Sequence, residues 1–260
     1  MKPILFQWGH LSIHAFGVLV ALGFLAGLWI AGRNARAAGL SAAMVHDLAP
    51  WLVLGGLAGA RLWYVVSYWN RDFAGQPWTE MFAIWRGGLV FYGGLVAATL
   101  LTLWRLHQLK LPMWTVADCL APGIVVGHAF GRLGCLMNGC CFGRPTGVAW
   151  AIRFPSDHAT EGTGVHPVQI YEAGLNLIFF ALLQLLFKRR RFPGQVFCAY
   201  LAGYAVLRST VEVFRGDYPR SGLLAGLTPG QQTSILILAA GILLYLWLQR
   251  RPRPVTAPRP

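Results

Sequence analysis

The sequence predicts an all-α integral membrane protein. Of its 260 residues, 56% are hydrophobic and only 12% charged, against about 25% charged in an average soluble domain. The apolar residues form long runs without alternation, the pattern of spanning helices rather than of barrel strands. Lysine and arginine cluster between those runs, as topology-setting residues do.

Seven spans are expected, at roughly 12–32, 46–68, 88–106, 116–137, 167–187, 195–214 and 231–249. Each has the length that a hydrocarbon core of about 30 Å requires of a helix. The first apolar run is followed by more of the same and shows no small-residue cleavage site, so it reads as a span and not as a removable leader. The fourth and sixth are the least apolar and carry the most polar residues. The fifth opens at Pro167, which suits a helix's first turn. One transmembrane domain over 1–249 is expected, with a basic, proline-rich, disordered cytoplasmic tail at 250–260. No internal repeat is visible, which argues against a transporter built from inverted halves.

Charge sets the expected orientation. Twelve basic residues fall on one side: Arg33, Arg36, Arg105, Lys110, the run Lys188 to Arg191, Arg250, Arg251, Arg253 and Arg259. The other side has seven, Lys2, Arg71, Arg86, Arg144, Arg153, Arg215 and Arg220, mixed with five acidic residues on longer loops. The N-terminus is therefore expected outside and the C-terminus in the cytoplasm, with loops 69–87, 138–166 and 215–230 facing outward. The net charge of +13 is explained by this distribution and by anionic headgroups, so no nucleic-acid partner is expected.

The richest stretch is Gly131-Arg-Leu-Gly-Cys-Leu-Met-Asn-Gly-Cys-Cys-Phe-Gly143. An arginine at a helix centre costs roughly 2.5–3.5 kcal/mol on insertion scales, so Arg132 calls for an anionic partner. Gly131 and Gly134 beside it permit close approach of a headgroup or a neighbouring helix. Arg208, Glu212 and Arg215 form an Arg-x3-Glu-x2-Arg stripe on span 6. It reads either as a phosphate holder with a nearby carboxylate or as a self-neutralising ion pair that locks helices together. Arg61 is open between a structural and a binding role. His166, Gln169 and Glu172 open span 5, where the helix dipole favours anionic groups. His14 and His128 read as hydrogen-bonded core histidines. Cys135, Cys140 and Cys141 lack a second ligand pair at zinc-type spacing, so packing is expected of them and no metal.

These residues resemble a known family. Gly131-Arg-Leu-Gly with Asn138 and Gly143 is similar to the signature of bacterial prolipoprotein diacylglyceryl transferases. Ile13-His-Ala-Phe-Gly17, Gly59-Ala-Arg61 with Tyr64, Gly87-Gly-Leu-Val-Phe-Tyr-Gly-Gly94, His166-Pro-Val-Gln-Ile-Tyr-Glu172, Arg208 to Arg215, and Gly230-Gln231 match further elements in family order. The resemblance implies a seven-helix enzyme of the bacterial plasma (inner) membrane, with its active site toward the outer face. It would move the diacylglyceryl group of phosphatidylglycerol to the lipobox cysteine of lipoprotein precursors, with no cofactor. It also implies a site drawn from Arg132, Arg208, Glu212 and Tyr92 as catalytic groups. Substrate contacts would come from Gly131, Arg132, Gly134, Asn138, Gly143, Arg61, His14, His166, Gln169, Glu172 and Arg215.

The chain departs from the family pattern in four places. Tyr92 stands where many members have histidine, Cys135 and Cys140 where many have Asn and Glu, and Phe16 where tyrosine is common. A tyrosine's ordinary pKa of about 10 makes it a poor base, so either another group takes the thiol's proton, with Glu212 the first choice, or the field of the arginines makes an explicit base unnecessary. The alternative is a non-catalytic or altered-substrate lipid-binding or lipid-flipping relative on the same scaffold.

Overall fold

The computed structural model describes residues 4–8, 11–217 and 226–251. Most of the tail expected to be disordered, 252–260, lies outside the described residues, as do Lys2, Arg220, Arg253 and Arg259 of the charge comparison. Eight α-helices run in order: α1 Ala15–Ala37, α2 Ala42–His46, α3 Leu48–Ser67, α4 Phe91–Gln108, α5 Met113–Asn138, α6 Val168–Arg189, α7 Gln195–Glu212 and α8 Pro229–Gln249. Among the described residues, five segments are long and apolar enough to cross a membrane: α1, α2 with α3, α5, α6 and α8. The protein is a helical membrane protein. Large apolar side chains such as Leu62, Val66, Leu236 and Leu243 stand exposed along the helices, which a bilayer tolerates and water would not.

Two details differ from the all-helical expectation. A short antiparallel hairpin, β1 Ile4–Trp8 and β2 Leu11–His14, precedes α1, so the first helix starts at Ala15 rather than near residue 12. Hydropathy is high through both and cannot mark the change of period. A second two-residue pairing, β3 Ile152–Arg153 with β4 Gly164–Val165, ties the long loop before α6. The second expected span, 46–68, corresponds to α3, and the short α2 precedes it across Asp47.

The helices group into two compact units. One comprises Ala35–Val116 and is built on α3 and α4. These pack through small residues. A Cβ on Gly59 would lie 2.5 Å from the Gly93 oxygen, one on Gly55 2.7 Å from the Ala98 Cα, and one on Gly94 2.7 Å from the Gly56 oxygen. In lipid no hydrophobic gain drives helices together, so such close backbone approach supplies the attraction. Beyond α3 a π-helical turn at Trp69–Phe73 and two 3-10 turns lead toward α4. There Arg71 and Tyr64 hydrogen-bond Asp72, holding its carboxyl down at about 2.

The other unit joins Met1–Asn34 to Ala117–Pro260. Here α1 crosses α5 at glycines. A Cβ on Gly27 would lie 2.9 Å from the Gly123 oxygen, and one on Gly23 2.7 Å from the Phe130 Cβ. The start of α7 is fixed to α5 by Asp118, wholly buried, which accepts the Gly194 and Phe197 N–H groups at 2.8 and 2.9 Å. Those are orphan donors of a helix N-terminus, and a buried carboxylate is well matched to them. Val168 of α6 packs with Leu207 and Val211 of α7.

Replacing Gly59 by leucine is expected to destabilise the α3–α4 pair by about 1–3 kcal/mol, the usual cost of overpacking. Gly17→Ala, where a Cβ would meet nothing within 4 Å, is expected to leave stability near wild type. Thermal unfolding of the two purified variants in detergent checks the contrast.

Candidate active site

The site is organised around one carboxylate. Glu172 sits just past the first turn of α6, and its side chain is 1% exposed. A buried carboxylate is costly unless it is paired and hydrogen-bonded. Its partners come from α5, where Arg132 and His128 lie four residues apart and so share a face. Arg132 Nε is 3.0 Å from Glu172 Oε2, and His128 Nε2 is 3.2 Å from Oε1.

Arg132 Nε also lies 3.1 Å from His128 Nε2. A single imidazole nitrogen cannot both accept from Arg132 and donate to Glu172. Donation to Glu172 is the better assignment, because Oε1 is buried and otherwise lacks a donor. The imidazole then carries its proton on Nε2 and presents Nδ1 as an acceptor. In sequence His128 reads as a core histidine. Its spacing to Arg132 was the signal that could have found it.

Helix α7 adds Tyr204, Arg208 and Glu212 at four-residue intervals. The Tyr204 ring stands 5.9 Å from the His128 ring. Arg208 lies within electrostatic reach of Glu172 and pairs with Glu212, Nη2 to Oε2, at 2.8 Å. Its Nη1 is buried and makes no hydrogen bond among the described residues. The terminal nitrogens of Arg132 likewise make none there. Two guanidiniums from separate helices thus keep donors in hand after orienting on carboxylates.

Glu212, the expected base, has a different position. It is 2% exposed, and Oε1 accepts the Thr228 hydroxyl at 3.0 Å. Thr228 caps α8 in a reciprocal box with Gln231, and a Cβ on Gly230 would fall 2.6 Å from Oε1. The carboxylate therefore rests against the N-terminus of α8, where an acceptor suits the helix's first donors. The pairing of Arg208 with Glu212 is as expected, but the stripe does not continue to Arg215. Helix α7 ends at Glu212, and Arg215 makes a two-point contact with Asp217 at 2.9 and 2.8 Å. Burial pulls the Arg215 guanidinium down, and Asp217 more than offsets that, so its pKa is raised.

The motif loop after α5 is held by its neighbours. Gly143 N–H donates to the His166 oxygen at 3.1 Å, and a Cβ there would lie 2.5 Å from that oxygen. The backbone of Gly143 also bridges to Arg215. Gln169, 1% exposed, donates to the Cys140 oxygen at 2.7 Å. His166 Nδ1 faces the Tyr171 hydroxyl at 3.3 Å, and that hydroxyl accepts from Trp150 Nε1. These contacts hold the loop through Gly143, His166 and Gln169, and Gln169 Oε1 remains buried without a hydrogen bond among the described residues. Asn138, the last residue of α5, is exposed. Gly134 lets Phe16 of α1 approach, whereas Gly131 faces open space. His14 ends β2 and is exposed rather than set in an apolar core.

Two expected site residues belong to the other unit. Arg61 is buried and donates to four backbone oxygens: Glu80 at 2.7 Å, Met81 and Gly87 at 2.8 Å, and Gly88 at 3.1 Å. Its guanidinium fastens the loop before α4, so its role there is structural. Tyr92 lies in the first turn of α4, exposed, with its ring 5.8 Å from that of Phe91.

Chemically, partly buried guanidinium donors beside a carboxylate-oriented imidazole suit binding of a tetrahedral oxyanion together with acceptance of a proton. Comparison with known proteins points the same way. Residues 3–247 match the family described as prolipoprotein diacylglyceryl transferase. A phosphatidylglycerol–prolipoprotein diacylglyceryl transferase of Bordetella bronchiseptica is 39% identical over 258 residues, covering 97% of both chains. The enzyme of the same name from Parasynechococcus marenigrum is 36% identical, covering 99% of this chain and 98% of its own. That of Geobacter sulfurreducens is 36% identical over 96% of each. With the match running through α1 to α8 and both arginines inside it, the chain belongs to the prolipoprotein diacylglyceryl transferase family.

Proposed function

We propose that this chain transfers the diacylglyceryl group of phosphatidylglycerol to the lipobox cysteine thiol of lipoprotein precursors. Sulfur attacks the glyceryl carbon, the carbon–oxygen bond breaks, and the phosphate leaves with the electron pair as glycerol phosphate. The thiol's proton goes to a protein base. The observation that carries this reading is the pairing of Arg132 with the buried Glu172 while Arg208, held by Glu212 on a second helix, lies within electrostatic reach of the same carboxylate, with guanidinium donors left over on both arginines.

Negative charge grows on the departing phosphoryl oxygen, and fixed donors aimed there lower the barrier without reorganising. Arg132 and Arg208 fill that role, each oriented by its own carboxylate. The planar fork of each guanidinium suits two phosphoryl oxygens. Sulfur reacts as the thiolate, and His128 is the favoured acceptor of its proton. Its Nδ1 is available once Nε2 donates to Glu172, and its side chain is 24% exposed against 1% for Glu212. A base oriented by a carboxylate is a recurrent arrangement for activating a nucleophile. Asn138 and Gly131, at the accessible end of α5, are proposed to line the headgroup's approach.

All seven expected spans are taken to cross the membrane, with the N-terminus outside and the C-terminus in the cytoplasm. Helices α4 and α7, 18 residues each, are long enough. The α7 sequence is less apolar because it carries the site's polar groups. The enzyme then works from the outer face of the plasma membrane.

Arg132→Ala and Arg208→Ala are each expected to lower transfer by at least about 100-fold, as loss of a charge-stabilising donor does, while thermal unfolding stays cooperative. Wild-type rates of thioether formation from lipobox peptide and phosphatidylglycerol in these folded variants would remove the phosphate clamp. A lipid-binding protein that forms no product would instead fit the non-catalytic alternative. His128→Asn is expected to cost about 100-fold or more in turnover, read as the rate of thioether formation by the folded variant. Tyr92→Phe is expected to transfer near the wild-type rate, and the reverse ranking of the two would return the base to Tyr92. Reporter fusions after Arg36, Lys110, Arg191 and Arg251 should all report the cytoplasm, and an outward signal at any of them would break the proposed topology.

A further inference from the structure

Three sulfurs for which the sequence pattern favours simple packing are brought together at the end of α5. The ligand atoms of Cys135, Cys140 and Cys141 all lie within 4.8 Å of one another, and each residue is partly buried. Cys119 and Cys198, the two remaining cysteines, are buried elsewhere.

The grouping comes from backbone geometry. Cys135 is in the last turn of α5, and the Cys140 N–H donates back to its carbonyl at 3.1 Å. Gln169 fixes the Cys140 carbonyl from α6. Cys141 has a φ of 61°, a left-handed conformation that a side-chain-bearing residue adopts only where its surroundings impose it. Just beyond, Gly216 N–H donates to the Phe142 oxygen at 3.2 Å and Gly143 N–H to the His166 oxygen at 3.1 Å. The segment that carries the thiols is thus tied on both sides. Arg215 lies within electrostatic reach of Cys141 and brings positive charge toward sulfurs that would bind a metal as thiolates.

From this arrangement we propose that Cys135, Cys140 and Cys141 form a three-sulfur site for a soft, thiophilic metal ion, copper(I) first among them. A metal–sulfur bond of about 2.3 Å sets three sulfurs around one ion at about 4 Å from one another, so the ligands need only close slightly. Among the described residues no histidine or carboxylate joins the group. Zinc sites are almost always completed to four ligands, whereas three thiolates alone suit copper(I). Binding displaces the thiol protons and clamps the motif loop next to Arg132 in one conformation. Spacing singles out the three cysteines but not their contact, because they straddle the end of α5 at Asn138.

The test is a titration of the full-length protein, reduced and in detergent without oxygen, with copper(I) against a coloured copper(I) chelator. One equivalent is expected to bind, with X-ray absorption of the loaded wild-type protein showing sulfur neighbours only, three in number. Cys140→Ser and Cys141→Ser are each expected to weaken binding at least 100-fold, and Cys119→Ser to leave it unchanged. A Cys135→Ser/Cys140→Ser/Cys141→Ser variant that still takes up one equivalent would overturn the site. So would zinc(II) binding tighter than copper(I), or a reduced wild-type protein that takes up no copper(I) and readily forms an internal disulfide in air.

Discussion

The burial of the Glu172 carboxylate governs the rest of the site. A negative charge at 1% exposure inside a membrane protein is tolerable only where cations and donors are brought to it. Those come from α5 as Arg132 and His128, while the charge of Arg208 reaches it from α7. One carboxylate on α6 therefore fixes the mutual placement of three helices' polar groups. It also explains why arginines occur at these depths: each is a compensating charge first, and its unused donors are what remain for a ligand.

Around that centre the fold repeats one device at several scales, the satisfaction of a helix end by a buried side chain. Asp118 takes the orphan donors of α7, and Glu212 joins Thr228 at the start of α8. Arg61 does the converse in the other unit, supplying donors to a loop whose carbonyls would otherwise face apolar surroundings. In a low-dielectric environment such contacts replace water, so a charge within a motif is as readily a structural fastener as a reacting group. Arg61 and Glu212 show that the distinction has to be read from the contacts each makes.

The helix pairs that carry these groups are held by backbone proximity. Glycines at the α1–α5 and α3–α4 crossings admit carbonyl oxygens where any Cβ would intrude. Rigid, closely packed supports suit a site whose donors must hold direction while charge shifts on the substrate.

By itself the sequence determined the class of protein, seven runs that became long helices within a few residues at each end, and the motif residues Arg132, Arg208, Glu172 and Glu212. All of these rest on local properties: run length, hydropathy and four-residue spacing. It also determined family membership through motifs kept in order. Tertiary structure decided the rest. It paired Glu172 with His128, turned Arg215 away to Asp217, gave Arg61 to a loop, set Glu212 on a helix N-terminus, gathered three cysteines, and folded residues 4–14 as a hairpin. Each of these depends on which chain segments meet, and a pattern along one segment carries no information about the partner it will find.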